Sequence, residues 1–132
     1  MEKIAILREK FTREGYAQFL GMELEELAEG YARVRMKVQE HLHNIFSILH
    51  GGALFSLLDE AFELACNSHV EDAVAISVTV HYMRPVVSGE LVAEAKEVAL
   101  TPRTGLYSLT AYNGDGIPVA FAQALCYRKR KD

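Results

Sequence analysis

The sequence predicts an α+β fold in which an antiparallel β-sheet wraps around one long central α-helix, with a short helix at the N-terminus. Two observations carry this prediction. Between about residues 51 and 67, apolar residues recur at the helical period and cover most of the helix circumference. Elsewhere, runs that alternate with a period of two follow one another across short turns, the pattern of antiparallel strands. A helix that apolar has to be enclosed on most sides, and a curled sheet is the simplest enclosure.

Each element has its own signal. Ile4, Leu7 and Phe11 fall at helical intervals between charged residues, so residues 2 to about 14 read as an amphipathic helix that Gly15 and Gly21 end. From Gly30, Ala32, Val34, Met36 and Val38 alternate with Tyr31, Arg33, Arg35 and Lys37, the pattern of a half-buried strand. In the central helix Leu54, Leu57, Leu58, Ala61, Phe62 and Ala65 form the apolar surface, and Ser56, Asp59, Glu60, Glu63 and Asn67 fill the remaining stripe. Val74 to Met83 alternates again, Pro85 and Gly89 turn the chain, and Leu91 to Leu100 is a further strand. Thr101 to Gly105 is a second turn. Leu106 to Tyr112 and Ile117 to Tyr127 flank Asn113-Gly114-Asp115-Gly116, a hairpin signal. That makes at least five strands in largely consecutive order, within one domain spanning 1–132. A sheet of this kind has edges to protect, and pairing them between two copies is one solution.

Composition narrows the function. A chain of 132 residues is one domain's length, and its formal charge of −4 gives no electrostatic case for nucleic acid. The basic run Arg128 to Lys131 reads as a solvated end. No stretch is long and apolar enough for a membrane span, and MEKIAILREK lacks a signal-peptide pattern. Cys66 and Cys126 sit in apolar segments and read as buried thiols of a cytoplasmic protein. A phosphate-binding Gly-rich loop, a Gly-x-Ser-x-Gly elbow and a Cys-x-x-Cys pair are all absent. His41, His43 and His81 lack the carboxylate or thiolate that would complete a metal set. Cys66 with His69 has the residue types of a nucleophile and base, but the thiol belongs to an apolar segment.

The chemistry concentrates at His50-Gly51-Gly52 and Asp59. Gly51 stands at the central helix's N-terminus, where free N–H groups and the helix dipole favour negative charge and could hold an oxyanion. Asp59 lies at the edge of the polar stripe beside Phe55, Phe62 and Cys66. It is expected to be better desolvated than Glu60 or Glu63, which would raise its pKa and suit base catalysis. Eight residues separate Gly51 from Asp59, about 12 Å at ~1.5 Å per residue. One small carbonyl cannot touch both on one helix, so a shared substrate requires a second chain whose helix runs in the opposite sense.

Asn44-x5-His50-Gly51-Gly52-x6-Asp59, then a strand holding Ser77, then Tyr82-x-Arg84-Pro85-x3-Gly89, closely resembles the hotdog-fold acyl-CoA thioesterases of the phenylacetate-degradation (PaaI) type. The resemblance runs from about Gly21 to Arg128. It implies a hotdog fold with a dimer as its basic unit and dimers commonly paired into a homotetramer. It also implies Asp59 as general base or nucleophile and the Gly51 N–H as oxyanion donor, Asp59 facing Asn44, His50 and Gly51 of the partner chain. Asn44 and His50 would orient the thioester or the attacking water, and a hydroxyl at the position of Ser77 helps hold that water in some relatives. Gly52, Arg84 and Arg103 are candidates for substrate binding, the arginines for coenzyme A phosphates. No catalytic cofactor and no metal are implied, because coenzyme A is part of the substrate. Members often carry a small or polar residue before His-Gly-Gly, whereas Phe46, Ile48 and Leu49 stand here, so an apolar acyl pocket is expected. Two other readings stay open: a same-fold acyl-thioester hydratase or dehydratase, and a non-catalytic acyl-CoA-binding module.

Overall fold

The apolar run at the centre of the chain forms helix α3 (Gly51–Cys66), and everything else is arranged to cover it. The computed structural model describes residues 2–129. Ahead of α3 come α1 (Glu2–Thr12), α2 (Gly15–Phe19), β1 (Met22–Ala28) and β2 (Tyr31–Lys37), with a 3-10 turn at Glu40–Leu42. After it come β3 (Ala73–Tyr82), β4 (Glu90–Leu100), β5 (Thr104–Tyr112) and β6 (Pro118–Arg128). The six strands form one sheet, ordered β1-β2-β4-β5-β6-β3, with every neighbouring pair antiparallel.

The alternation seen in the sequence becomes a two-faced sheet. On β2, Ala32, Val34 and Met36 are buried while Arg33 and Arg35 point outward, and on β5 Tyr107, Leu109 and Ala111 turn inward. Leu54, Leu57, Leu58, Ala61 and Phe62 of α3 fill the concave side. Phe62 meets Tyr107 edge-to-face, ring centroids 5.6 Å apart. The helix lies mainly across β4, β2 and β5 and touches β3 and β6 less. Its start stands beside Tyr82 and its end beside Ala73, where the Asn67 amide bonds both the N–H and the carbonyl of Ala73. The helix therefore runs antiparallel to β3.

Four features depart from the sequence expectation. β1 is an additional strand, hidden because a bulge between Leu24 and Glu26 breaks its period of two. α2 restarts the helix at Gly15, where a stop was expected, but only for five residues. Strand order is not consecutive, since the α3 crossover carries the chain from β2 to the far edge, leaving β2 to pair with β4. Of the basic run at the C-terminus, Arg130 and Lys131 lie outside the described residues. Arg128 is not a free solvated end: its guanidinium bonds Glu71 at 2.9 Å and the Thr101 carbonyl at 2.8 Å.

The two sheet edges differ in chemistry. β1 carries Glu23, Glu25 and Glu26, whose carboxylates pair with Arg33 and Arg35. β3 carries no acid and, apart from His81 and Tyr82, no titratable group. Its Val74 and Ile76 are 47% and 55% exposed. A bulge lies between Ala75 and Ser77, and from Ser77 to Tyr82 the pairing with β6 is regular. A long, apolar, uncharged edge is a surface that pairs with another strand.

Candidate active site

His50 is the N-cap of α3: with φ −63° and ψ 134°, its ring Nδ1 accepts the Gly52 N–H at 2.8 Å. That contact accounts for Gly52, because a Cβ there would lie 3.1 Å from the same Nδ1. A neutral imidazole accepting at Nδ1 carries its proton on Nε2, which leaves a donor free for another partner. The Gly51 N–H has no acceptor among the described residues. It is an orphan donor at the positive end of a sixteen-residue helix. A Cβ on Gly51 would reach van der Waals contact with the Tyr82 ring at 3.6 Å, and the Tyr82 hydroxyl donates to the Gly51 carbonyl at 3.2 Å. The sequence flagged Tyr82 only as part of the Tyr-x-Arg-Pro turn; the structure places it against the helix start.

Asn44 holds the loop that leads to His50. Its Oδ1 accepts from the Phe46 N–H at 2.8 Å, and its own N–H donates to the Ile48 carbonyl at 2.7 Å. Ser47 completes the tight turn with φ +60°. Asn44, Ile48, Gly51, Leu54, Tyr82 and Arg84 line one cleft of about 300 Å³. Of the three apolar residues before His-Gly-Gly, only Ile48 and Leu49 belong to this cleft; Phe46 projects into solvent, 75% exposed.

The other candidates lie elsewhere. Asp59 sits half-buried two turns along α3, and none of the cleft's lining comes from it. Its carboxyl is held above the ordinary aspartate value, first by burial and then by the negative charge of Glu14. Ser77 is exposed on β3 opposite Leu125. Arg103 is in the β4–β5 turn near Tyr127, at the Ala73 end of β3, whereas Arg84 follows its Tyr82 end. One chain thus gathers Asn44, Gly51 and Arg84 but leaves Asp59, Ser77 and Arg103 apart from them.

One expectation about the stripe is overturned. Glu60, not Asp59, is the most buried acid of α3, at 5% exposed. The helical projection treats the stripe as facing water, but Glu14, just before α2, folds over it: carboxylate oxygens of Glu14, Glu60 and Glu63 all lie within 4.8 Å of one another. The remaining pairings fall to structure. Cys66 is buried, and burial pushes its thiol up, away from the reactive thiolate. His69 instead bonds Glu97, which also accepts from Tyr107. His43 bonds the Val87 carbonyl at 2.9 Å, and the histidines join no metal-competent cluster among the described residues.

Residues 46–120 match the thioesterase superfamily. A relative from Archaeoglobus fulgidus, provisionally assigned as an esterase, is 42% identical over 87% of this chain and 75% of its own. The acyl-coenzyme A thioesterase PaaI of Escherichia coli is 34% identical over 89% of this chain and 85% of its own. The solved structure of E. coli PaaI, from the phenylacetic acid degradation operon, superposes with a TM-score of 0.93 at 32% identity, covering 98% of this chain and 95% of that one. No helix among the described residues is long and apolar enough to cross a membrane. The chain belongs to the thioesterase superfamily, has the hotdog fold and is by class a thioester hydrolase.

Proposed function

We propose that the protein is an acyl-CoA thioesterase whose site is completed across a dimer, Asp59 of one copy acting on a thioester held at Gly51 of the other. The observation that carries this reading is the unused Gly51 N–H, separated along one rigid helix from the half-buried Asp59. That separation is about 12 Å, too far for one carbonyl to meet both.

The exposed edge of β3 supplies the geometry. Two β3 edges paired antiparallel across a two-fold axis set their α3 helices in opposite directions. Asp59 of one copy meets Gly51 of the other if the axis crosses about 6 Å from the Gly51 end, half the separation. At ~3.3 Å per residue that is about two residues in from Tyr82, at Val80, inside the regular part of the strand. The same pairing brings Arg103 of one copy towards Arg84 of the other, as paired anchors for coenzyme A phosphates. Ser77, exposed on the same strand, is brought to the seam, where its hydroxyl could hold a water. A tetramer would then form from two such dimers.

Asp59, kept poorly solvated, removes a proton from water as the water oxygen bonds the thioester carbon. The oxyanion is held by the Gly51 N–H, with the Asn44 amide and His50 Nε2–H as neighbouring donors. Collapse breaks the C–S bond, and the leaving thiolate takes the proton from Asp59, giving the free acid and coenzyme A. Alternatively Asp59 attacks as nucleophile: the C–S bond breaks as the anhydride forms, and coenzyme A leaves as thiolate. Water then opens the anhydride to the free acid and the Asp59 carboxylate, the water's second proton going to the thiolate. The operon named for the E. coli relative makes aryl-acetyl thioesters the first substrates to assay. Two free buried cysteines suit a cytoplasmic setting.

The test is a panel of acyl-CoAs with free-thiol detection, comparing the native chain with Asp59→Asn. Loss of about 10²–10⁴-fold in turnover with binding retained is expected, the range for a general base. Full hydrolysis by a folded Asp59→Asn chain would sink the proposal.

A further inference from the structure

Beneath α2, away from the Gly51 cleft, three carboxylates converge from two distant parts of the chain. Glu60 and Glu63, three residues apart, share one side of α3, and Glu14 comes from the turn ahead of α2. One oxygen from each lies within 4.8 Å of the others. Oxygens bound to a single hard cation at ~2.0–2.6 Å span about that distance. Glu14 occupies the N-cap position of α2, yet its side chain makes no capping bond there. Glu60 is 5% exposed, and its Oε2 is buried with no hydrogen-bond partner. A buried, unpartnered carboxylate oxygen is costly unless a positive charge or a proton meets it.

Among the described residues none of the three acids is in an ion pair. Two lysines line the neighbouring groove: Lys3 is held by Asp72 and the carbonyls of His69 and Val70, whereas Lys10 is in no ion pair among the described residues. Asp59 adds a further negative charge felt by Glu14 and Glu63. The groove, about 560 Å³ between α1 and the second half of α3, is lined by Glu14 and Glu63 and gives an ion and its waters a way in. All ligand atoms are carboxylate oxygens, with no imidazole or thiolate, which selects hard cations such as Mg²⁺, Mn²⁺ or Ca²⁺.

We propose that Glu14, Glu60 and Glu63 form a divalent-cation site that ties α2 to the second half of α3, with Glu60 as the buried ligand and groove water completing the shell. Because ligand carboxyls must lose their protons, binding strengthens as pH rises and releases protons. A shared proton is the competing occupant.

The probe is Mn²⁺ added to chelator-treated full-length protein, followed by electron paramagnetic resonance and thermal unfolding at several pH values. Saturable uptake of one Mn²⁺ per chain is expected, displaced by Mg²⁺ or Ca²⁺, tighter at higher pH and raising the unfolding temperature. Glu60→Gln, nearly isosteric, and Glu63→Gln, on the exposed side, should each weaken uptake at least tenfold, whereas Glu29→Gln leaves it unchanged. No saturable uptake by the native chain, or uptake undiminished in both variants, overturns the proposal. So does a native chain that takes no ion while Glu60→Gln only stabilises it at alkaline pH, because a proton is then the occupant.

Discussion

At the residue scale, the acids of α3 separate by environment. Asp59 needs to be ionised to act as base, and burial together with Glu14 holds its carboxyl above the ordinary aspartate value. In the metal-free protein the acid limb of kcat/KM should therefore lie above that value, and Glu14→Gln, removing one negative neighbour, should move the limb to lower pH. A pH–rate profile of the two proteins measures it; an unmoved limb would disconnect Glu14 from the base. Glu60 is raised as well, by burial first and then by its contact with Glu14. A carboxyl raised on folding makes the native chain hold more protons than the unfolded one above the ordinary glutamate range. Stability of the metal-free protein should thus fall as pH rises through that window, and Glu60→Gln should flatten the fall. Denaturant titrations at pH 5 and pH 9 would show it. Asp59 was legible from the sequence as a carboxylate at the edge of an apolar helix. The burial of Glu60 was not, because it depends on Glu14, 46 positions earlier in the chain.

At the element scale, α3 and the alternating strands β2 and β5 could be read directly, since each is one unbroken period. β1 escaped because its bulge shifts the period midway, and α2 because five residues are too few to show one. The character of β3 was half legible: its alternation marked a strand, but only the sheet order shows that it stands at an edge. That position makes a further prediction. Thr79 is exposed in the regular part of the edge, so Thr79→Lys in two facing copies would set like charges beside the proposed axis. A folded chain with the mass of a monomer and little hydrolysis is expected by light scattering and thiol assay. A dimer that keeps full activity would place the interface elsewhere.

At the scale of the whole molecule, the fold sets a helix start that can hold an oxyanion two turns from the acid that could use it. His50, Gly51 and Gly52 build the first half: the ring caps the helix, Gly52 leaves room for the ring, and the Gly51 N–H is left over. If both ends act on one substrate, the spacing of these residues calls for a second chain. The sequence could not say which surface brings it, because edge identity depends on contacts far apart in the chain. The most direct measurement is complementation between two inactive variants. Asp59→Asn removes the acid. Gly51→Pro removes the N–H at the first helical position, which tolerates proline, after a residue whose ψ of 134° suits one. Co-expressed with different tags and purified as mixed dimers, each pair would hold one doubly damaged site and one intact site. The account predicts that two variants, each inactive alone, recover about half of native activity per mixed dimer, one site in two. Mixed dimers as inactive as either parent would contradict it and return the whole site to a single chain.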